Sequence, residues 1–164
     1  MKGSSAKRES VSIGLISDTH GLLRPAVLRL FAGVDLILHA GDVGKPEVLQ
    51  GLETLAPVCA VRGNNDHGGW AEALPASRTV EAAGARLFVL HDLQELDIDP
   101  AHEGCAAVIS GHSHKPLLVQ DGGVLFLNPG SAGPRRFTLP VSCARIDVRA
   151  GKVSARLLEI PEMR

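Results

Sequence analysis

An α/β fold of two mixed β-sheets packed face to face, with helices on the outside, is predicted by three features of the sequence. The first part of the chain alternates short apolar runs with helical segments of ordinary length, and right-handed crossovers between parallel strands are the default for that pattern. From about residue 78 onward the chain turns to short apolar runs joined by tight, glycine-containing turns, which are hairpin signals. The core must also be aliphatic, because aromatic residues make up only 3% and tyrosine is absent, which leaves Val, Leu, Ile and Ala to fill it. At 164 residues the chain is read as one domain over residues 11–164, preceded by a flexible polar tail over residues 1–10.

The first strand is expected over residues 11–17 and is followed by a helix over residues 24–32. There Leu23, Val27, Leu30 and Phe31 share a face, Pro25 opens the first turn and Gly33 stops it. A second strand over residues 34–38 runs into His39-Ala40-Gly41-Asp42, and Pro46 starts a second helix whose apolar side carries Val48, Leu52, Leu55 and Ala56. A third strand over residues 57–61 ends in Arg62-Gly63-Asn64-Asn65-Asp66. His67-Gly68-Gly69-Trp70 reads either as a lip over a site or as an indole covering apolar surface. Three hairpins follow: residues 78–82 with 86–90, 117–120 with 124–127 about Asp121-Gly122-Gly123, and 142–148 with 152–158. Between the first two lie a short helical turn, capped by Asp99, started by Pro100 and stopped by Gly104, and a buried strand over residues 105–110.

A formal net charge of −1 leaves no electrostatic footprint for a nucleic-acid or membrane-surface binder, so any phosphate recognition has to be local. Cys59, Cys105 and Cys143 are far apart, form no C-x-x-C pair and read as core cysteines of a reducing compartment. No run approaches a membrane span and the first residues lack a signal-peptide core, so a cytoplasmic protein is expected. Self-association is left open.

The strands share one property: each exits into oxygen or nitrogen donors. Asp18 and His20 follow the first, Asp42 the second and Asn64 the third, while His91 follows the run to Leu90 and His112 and His114 the run to Ser110. In extended chain, residues two apart project to one side, which would aim Asp18 and His20 at one point. Ligands of parallel sheets gather at the carboxyl ends of strands, so these donors are expected to converge. Four imidazoles, two carboxylates and an amide oxygen exceed a catalytic triad and a single four-coordinate zinc. They suit two metal ions about 3.5–4 Å apart, the arrangement that clamps attacking and leaving oxygens in phosphoryl transfer. Two dications, set against two carboxylates and one hydroxide, leave a net positive centre that attracts phosphate. Mixed imidazole and oxygen donors favour transition metals, manganese first and Fe, Zn, Ni or Co as alternatives, over Mg or Ca.

Ser17-Asp18-Thr19-His20-Gly21, His39-Ala40-Gly41-Asp42, Arg62-Gly63-Asn64-Asn65-Asp66, Leu90-His91 and Ser110-Gly111-His112-Ser113-His114, in this order, resemble the motifs of the calcineurin-like metallophosphoesterases. Asn128-Pro129-Gly130-Ser131, followed by Pro134-Arg135, is similar to their small single-domain phosphodiesterase branch. The resemblance implies a four-layer α/β/β/α sandwich and hydrolysis of a small phosphodiester, or of another phosphate ester, at two divalent ions. Asp18, His20 and His114 would hold the first ion, and Asn64, His91 and His112 the second. Asp42 would bridge them, with a bridging hydroxide as nucleophile attacking in line. Two positions depart from the family pattern. Many relatives carry histidine where Asn65 stands, a place for a general acid or phosphate contact, so Asn65 becomes a candidate phosphate contact and His67 a substitute acid. Asp92 stands where glycine is usual, either orienting an imidazole or crowding the mouth.

Other polar residues read as support. His39 and Asp66 are expected to hydrogen-bond structurally, and His102 to lie on the surface. Arg135 and Arg136 either offer a fork to phosphate or stay solvated in their loop. A non-catalytic scaffold of the same fold is the alternative class; such a protein should lose metal ligands, and here none is lost.

Overall fold

The computed structural model describes residues 9–161, so most of the expected tail lies outside the described residues, and Ser10 already belongs to the first strand. In chain order the elements are β1 (Ser10–Ile16), α1 (Pro25–Leu30), β2 (Leu36–His39), α2 (Pro46–Glu53), β3 (Val58–Ala60), α3 (Gly69–Glu72), β4 (Ser77–Ala82) and β5 (Ala85–Leu90). A 3-10 turn (Leu93–Glu95) precedes β6 (Ala107–Ile109), β7 (Leu117–Asp121), β8 (Val124–Asn128), β9 (Ser142–Arg149) and β10 (Lys152–Glu159). They build two five-stranded mixed sheets, ordered β10-β9-β1-β2-β3 and β4-β5-β6-β8-β7. In the first sheet β1, β2 and β3 run parallel, and β9 and β10 are antiparallel additions. In the second β5, β6 and β8 are parallel between antiparallel edges.

The period-two pattern of the strands decides what each face buries. Ile13 and Leu15 of β1, Leu38 of β2 and Ile146 and Val148 of β9 point between the sheets, against Leu87, Val89, Ile109 and Leu127 of the second. The opposite face of the first sheet carries Ile16, Ile37 and Cys143 under Val27, Phe31, Val48 and Leu52, which is the apolar side of α1 and α2. Pro25 and Pro46 each occupy the first helical turn, where a missing N–H costs nothing.

Local differences from expectation have physical causes. Residues 99–104 close a single hydrogen-bonded turn, with His102 N–H donating to Asp99 Oδ1 at 3.3 Å, and do not propagate, because one turn fixes many dihedrals for few bonds. The unexpected 3-10 turn exists because Asp92 Oδ1 accepts from Gln94 N at 3.0 Å. Leu93, Leu96 and Ile98 then cover Phe88, Leu90 and Val108 on the outer face of the second sheet, so that layer is turn and loop rather than α-helix. Trp70 lies in α3 and packs half-buried on the cluster beneath α1 and α2; it covers apolar surface and is not a lip. The three cysteines are free, and burial pushes the Cys143 thiol up to about 12. Among the described residues no helix is long and apolar enough to cross a membrane.

Candidate functional site

Parallel pairing sends the exits of β1, β2 and β3, and those of β5 and β6, to one end of the sandwich. The β1 exit is stitched to the β2 exit by backbone bonds: Asp18 N to Gly41 O at 2.9 Å, His20 N to Asp42 O at 3.0 Å and Gly21 N to Val43 O at 2.8 Å. Asp18 and His20 do converge, although not by the extended geometry expected of them. Their φ angles are 56° and 46°, and Asp42, His112 and His114 stand at 57°, 71° and 64°, all in the left-handed region. Each such residue costs on the order of 1–3 kcal/mol and persists only where its surroundings hold it, a feature that clusters at functional sites.

The two oxygens of Asp18 have separate tasks. Oδ2 accepts from Ser17 Oγ at 2.6 Å and from the His112 N–H at 3.0 Å. Oδ1 is buried without a hydrogen-bond partner and faces His114 Nε2 at 3.4 Å, His20 Nε2 at 3.8 Å and His91 Nε2 at 3.9 Å. His20 Nε2 and His91 Nε2 are likewise buried and without a partner. Asp42 Oδ2 lies 3.3 Å from His91 Nε2 and 3.7 Å from His20 Nε2, so both carboxylates reach both histidines. His91 Nδ1 donates to Ala40 O at 2.8 Å, which leaves Nε2 as the inward-facing lone pair.

Asn64 and His112 sit further out and are more exposed, joined by Asn64 Oδ1 and His112 Nδ1 at 3.2 Å. His112 stands edge-on to His91, with ring centroids 5.1 Å apart, and His20 stacks on His114 at 5.4 Å. Asp18, His20 and His114 form one compact donor group and Asp18, Asp42 and His91 a second.

These donors fit a metal centre. Buried polar atoms left without hydrogen bonds are rare and costly; here His20 Nε2 and His91 Nε2 each face Asp18 Oδ1 at a distance too long for a hydrogen bond, one in each donor group, which suits cations held by those groups. Burial alone would raise the pKa of both carboxyls. The facing His114 ring and the Ser17 hydroxyl hold Asp18, and the facing His91 ring and the Asn65 donors hold Asp42, below the usual carboxylate range. Burial opposes a proton on His91, but the facing Asp42 carboxylate, Ala40 O and the charge of Asp18 lift it to about 8, a proton that a bound cation would displace.

The surrounding residues are committed to support. Asp66 accepts from Val43 N at 3.2 Å, Gly44 N at 2.9 Å and Gly63 N at 2.8 Å, which ties the β3 exit to the Asp42 loop. Asn65 donates its backbone N–H to Asp42 Oδ1 and its amide to Asp42 Oδ2, both at 2.9 Å. Its side chain therefore clamps the buried carboxylate, which needs donors. His67 is exposed on the loop before α3 and lines neither cleft beside His112. Arg135 turns its Nε–H back to Leu139 O at 3.3 Å, and Arg136 is exposed in the same loop. His102 is exposed in the 99–104 turn.

Three supports had no assigned role in the sequence reading: Ser17, Asn128 and Ser131. Asn128, at the exit of β8, donates to Gly111 O at 2.9 Å and Ser113 Oγ at 3.1 Å, which pins the loop between His112 and His114. Ser131 donates to Asp18 O at 3.1 Å. The available signal was a polar residue ending an apolar strand, the same one that marked the donors. Close approach also demands glycine at two points. A Cβ on Gly63 would collide with Asp42, and one on Gly111 would collide with Ser17 Oγ and come within 2.7 Å of Asp18 Oδ2.

Comparison with known proteins agrees with this geometry. A probable metallophosphoesterase of Methanothermobacter thermautotrophicus is 40% identical over 148 residues, 82% of this chain and 86% of the relative. A structure described as a novel archaeal phosphodiesterase superposes with a TM-score of 0.74 at 25% identity, over 90% of this chain and 99% of that one. Vps29 of Entamoeba histolytica, described as complexed with zinc, shares the fold with a TM-score of 0.70 at 24% identity, over 92% and 99%. Residues 11–151 match the calcineurin-like phosphoesterase superfamily domain, and the chain belongs to that family.

Proposed function

We propose that the protein is a phosphodiesterase working with two divalent transition-metal ions, manganese first among them. The observation that carries this is that the unpartnered, buried atoms His20 Nε2 and His91 Nε2 each face the unpartnered Asp18 Oδ1 and also Asp42 Oδ2. Asp18, His20 and His114 would hold one ion, Asn64, His91 and His112 the other, and Asp42 would be shared. When bound, such ions polarise the phosphoryl oxygens and bring a water toward a pKa near 7.

The chain's own contribution is to hold these donors in place before substrate arrives. Ser17 and the His112 N–H orient Asp18, Asn65 orients Asp42, and Ala40 O keeps the Nδ1 proton of His91 away from the centre. Asn64 and His112, at the exposed rim, would be the first of these donors to meet a phosphate entering from solvent. Asn65 stands where many relatives carry an acid histidine, and an amide gives up no proton, so esters of acidic alcohols, which depart without one, suit this site best.

A scaffold role has one observation in its favour: β7 is an exposed edge carrying Leu117, Leu118 and Val119. The complete donor set argues for catalysis. The deciding measurement is hydrolysis of bis(p-nitrophenyl) phosphate with manganese, with and without chelator. Turnover that needs metal and is lost in His112→Ala is expected; absence of turnover in the metal-loaded protein sinks the enzyme reading.

A further inference from the structure

On the reading that this centre hydrolyses phosphate esters, we infer that Asp92 sets its preference for monoanionic diesters over dianionic monoesters. Two clefts open beside His112. One of about 440 Å³ is walled by Leu93, Gln94, Lys115, Pro116 and Leu117, and another of about 220 Å³ by Arg62, Asn64, Ala76 and Glu95. His112 and Asp92 belong to both. A diester has two substituents on phosphorus, and two clefts meeting at one point give each a place. A monoester fills one cleft and leaves its terminal oxygens, with two negative charges near neutral pH, at the junction.

Asp92 stands at that junction with its side chain only 25% exposed. Its Oδ1 is occupied in capping the 3-10 turn, at 3.0 Å from Gln94 N, and this fixes Oδ2 at 3.8 Å from His112 Nε2. Among the described ion pairs its one partner is the His112 ring, with no lysine or arginine to neutralise it. The cleft walls do not compensate either: Arg62 and Lys115 are matched by Asp92 and Glu95, so the side chains add no cation beyond the ions themselves for a second phosphate charge. A unit charge about 6 Å from the carboxylate, at an effective dielectric constant of about 40, is disfavoured roughly tenfold. A monoester carries that extra charge and a diester does not.

The test compares wild type with Asp92→Asn and Asp92→Ser, both of which retain a capping oxygen and so keep the turn. The metal-loaded proteins are assayed for kcat/KM on bis(p-nitrophenyl) phosphate and p-nitrophenyl phosphate. Their affinities for inorganic phosphate and dimethyl phosphate are measured by calorimetry. The diester-to-monoester ratio is expected to fall roughly tenfold in both variants, and phosphate to tighten by a similar factor relative to dimethyl phosphate. If both esters and both ligands change in parallel, if neither ratio moves by more than about twofold, or if no protein binds either ligand, the inference is overturned. If wild type hydrolyses neither ester, the esterase reading fails, while the two binding isotherms still decide the role of Asp92.

Discussion

His39 provides the sharpest stability test, because its protonation state is dictated by its neighbours. The ring is fully buried; Gly41 N donates to Nδ1 at 3.1 Å, so that nitrogen carries a lone pair. Thr19 Oγ1 donates to Val43 O at 2.8 Å and can therefore accept the Nε2 proton of His39 at 3.0 Å. A second proton on Nδ1 would break the bond from Gly41 and bury a charge. Burial lowers the pKa from 6.5 to about 4, with the nearby carboxylates only partly opposing it. Since the folded pKa lies below the unfolded one, the stabilisation is complete above the unfolded value and fades as pH falls from 6.5 toward 4. Between about pH 7 and about pH 5 the loss is about 2 kcal/mol, or about 4–8 °C in Tm for a domain of this size. His91 acts in the opposite sense: its raised pKa of about 8 gives stability that is present below 6.5 and lost as pH rises through 8. Comparing metal-free wild type with His39→Gln cancels that contribution. Gln keeps a donor for Thr19 and cannot titrate, so wild type should lose about 4–8 °C more than the variant on acidification, measured by calorimetric melts. Equal losses in the two proteins would refute the neutral, network-locked His39.

Other perturbations probe the centre and its supports. Manganese at about a hundred times its dissociation constant should stabilise the fold by about 3 kcal/mol and raise Tm by about 5–10 °C, with chelator reversing the shift; an unchanged melting curve contradicts a metal site. Asn128→Ala strands the N–H of Gly130 and leaves Gly111 O with only its bond from Ser113 N, so denaturant unfolding should report a loss of about 1–3 kcal/mol; a loss under about 0.5 kcal/mol would show that the β8 exit does not hold the histidine loop. Gly111→Ala forces a methyl against Ser17 and Asp18, which should destabilise by about 1–3 kcal/mol and weaken metal binding; intact metal affinity by titration would mean the loops yield more easily than their packing indicates.

How much of the site was legible follows from how local each signal was. Donors ending apolar runs announce themselves, because a strand ladder aligns its exits whatever the loops do; Asp18, Asp42 and His91 meet for that reason. The backbone of the loops was not legible. Asp18 and His20 adopt left-handed φ where an extended reading sufficed to predict convergence; Asp and His tolerate that region better than most residues, but nothing in their local sequence demands it. Asn65 read as a phosphate contact because many relatives carry histidine at its place, while only the fold reveals that Asp42 takes its two donors. Asn128 stands far from Asp18 in sequence, and its role through the His112 loop depends on β8 pairing beside β6. The 3-10 turn at Leu93–Glu95 was too short to register as a pattern, though its cap was noticed as the departure at Asp92.

The left-handed ligands and the stitched loops have one explanation. A relaxed loop after β1 would let Asp18 and His20 leave the centre whenever its buried charges were uncompensated. Instead the backbone bonds from Asp18, His20 and Gly21 to the Asp42 loop make each ligand's position depend on the other's. Asp66 extends the coupling to the exit of β3, and Ser131 and the His112 N–H extend it to the second sheet. Strain of on the order of 1–3 kcal/mol per left-handed residue is thus borne by folding, over a core that buries side chains from both sheets, and not by ligand binding. A centre organised in this way should change its donor geometry little when ions arrive, and a variant that relaxes one loop, such as Asp66→Ala, should weaken binding at donors it does not touch.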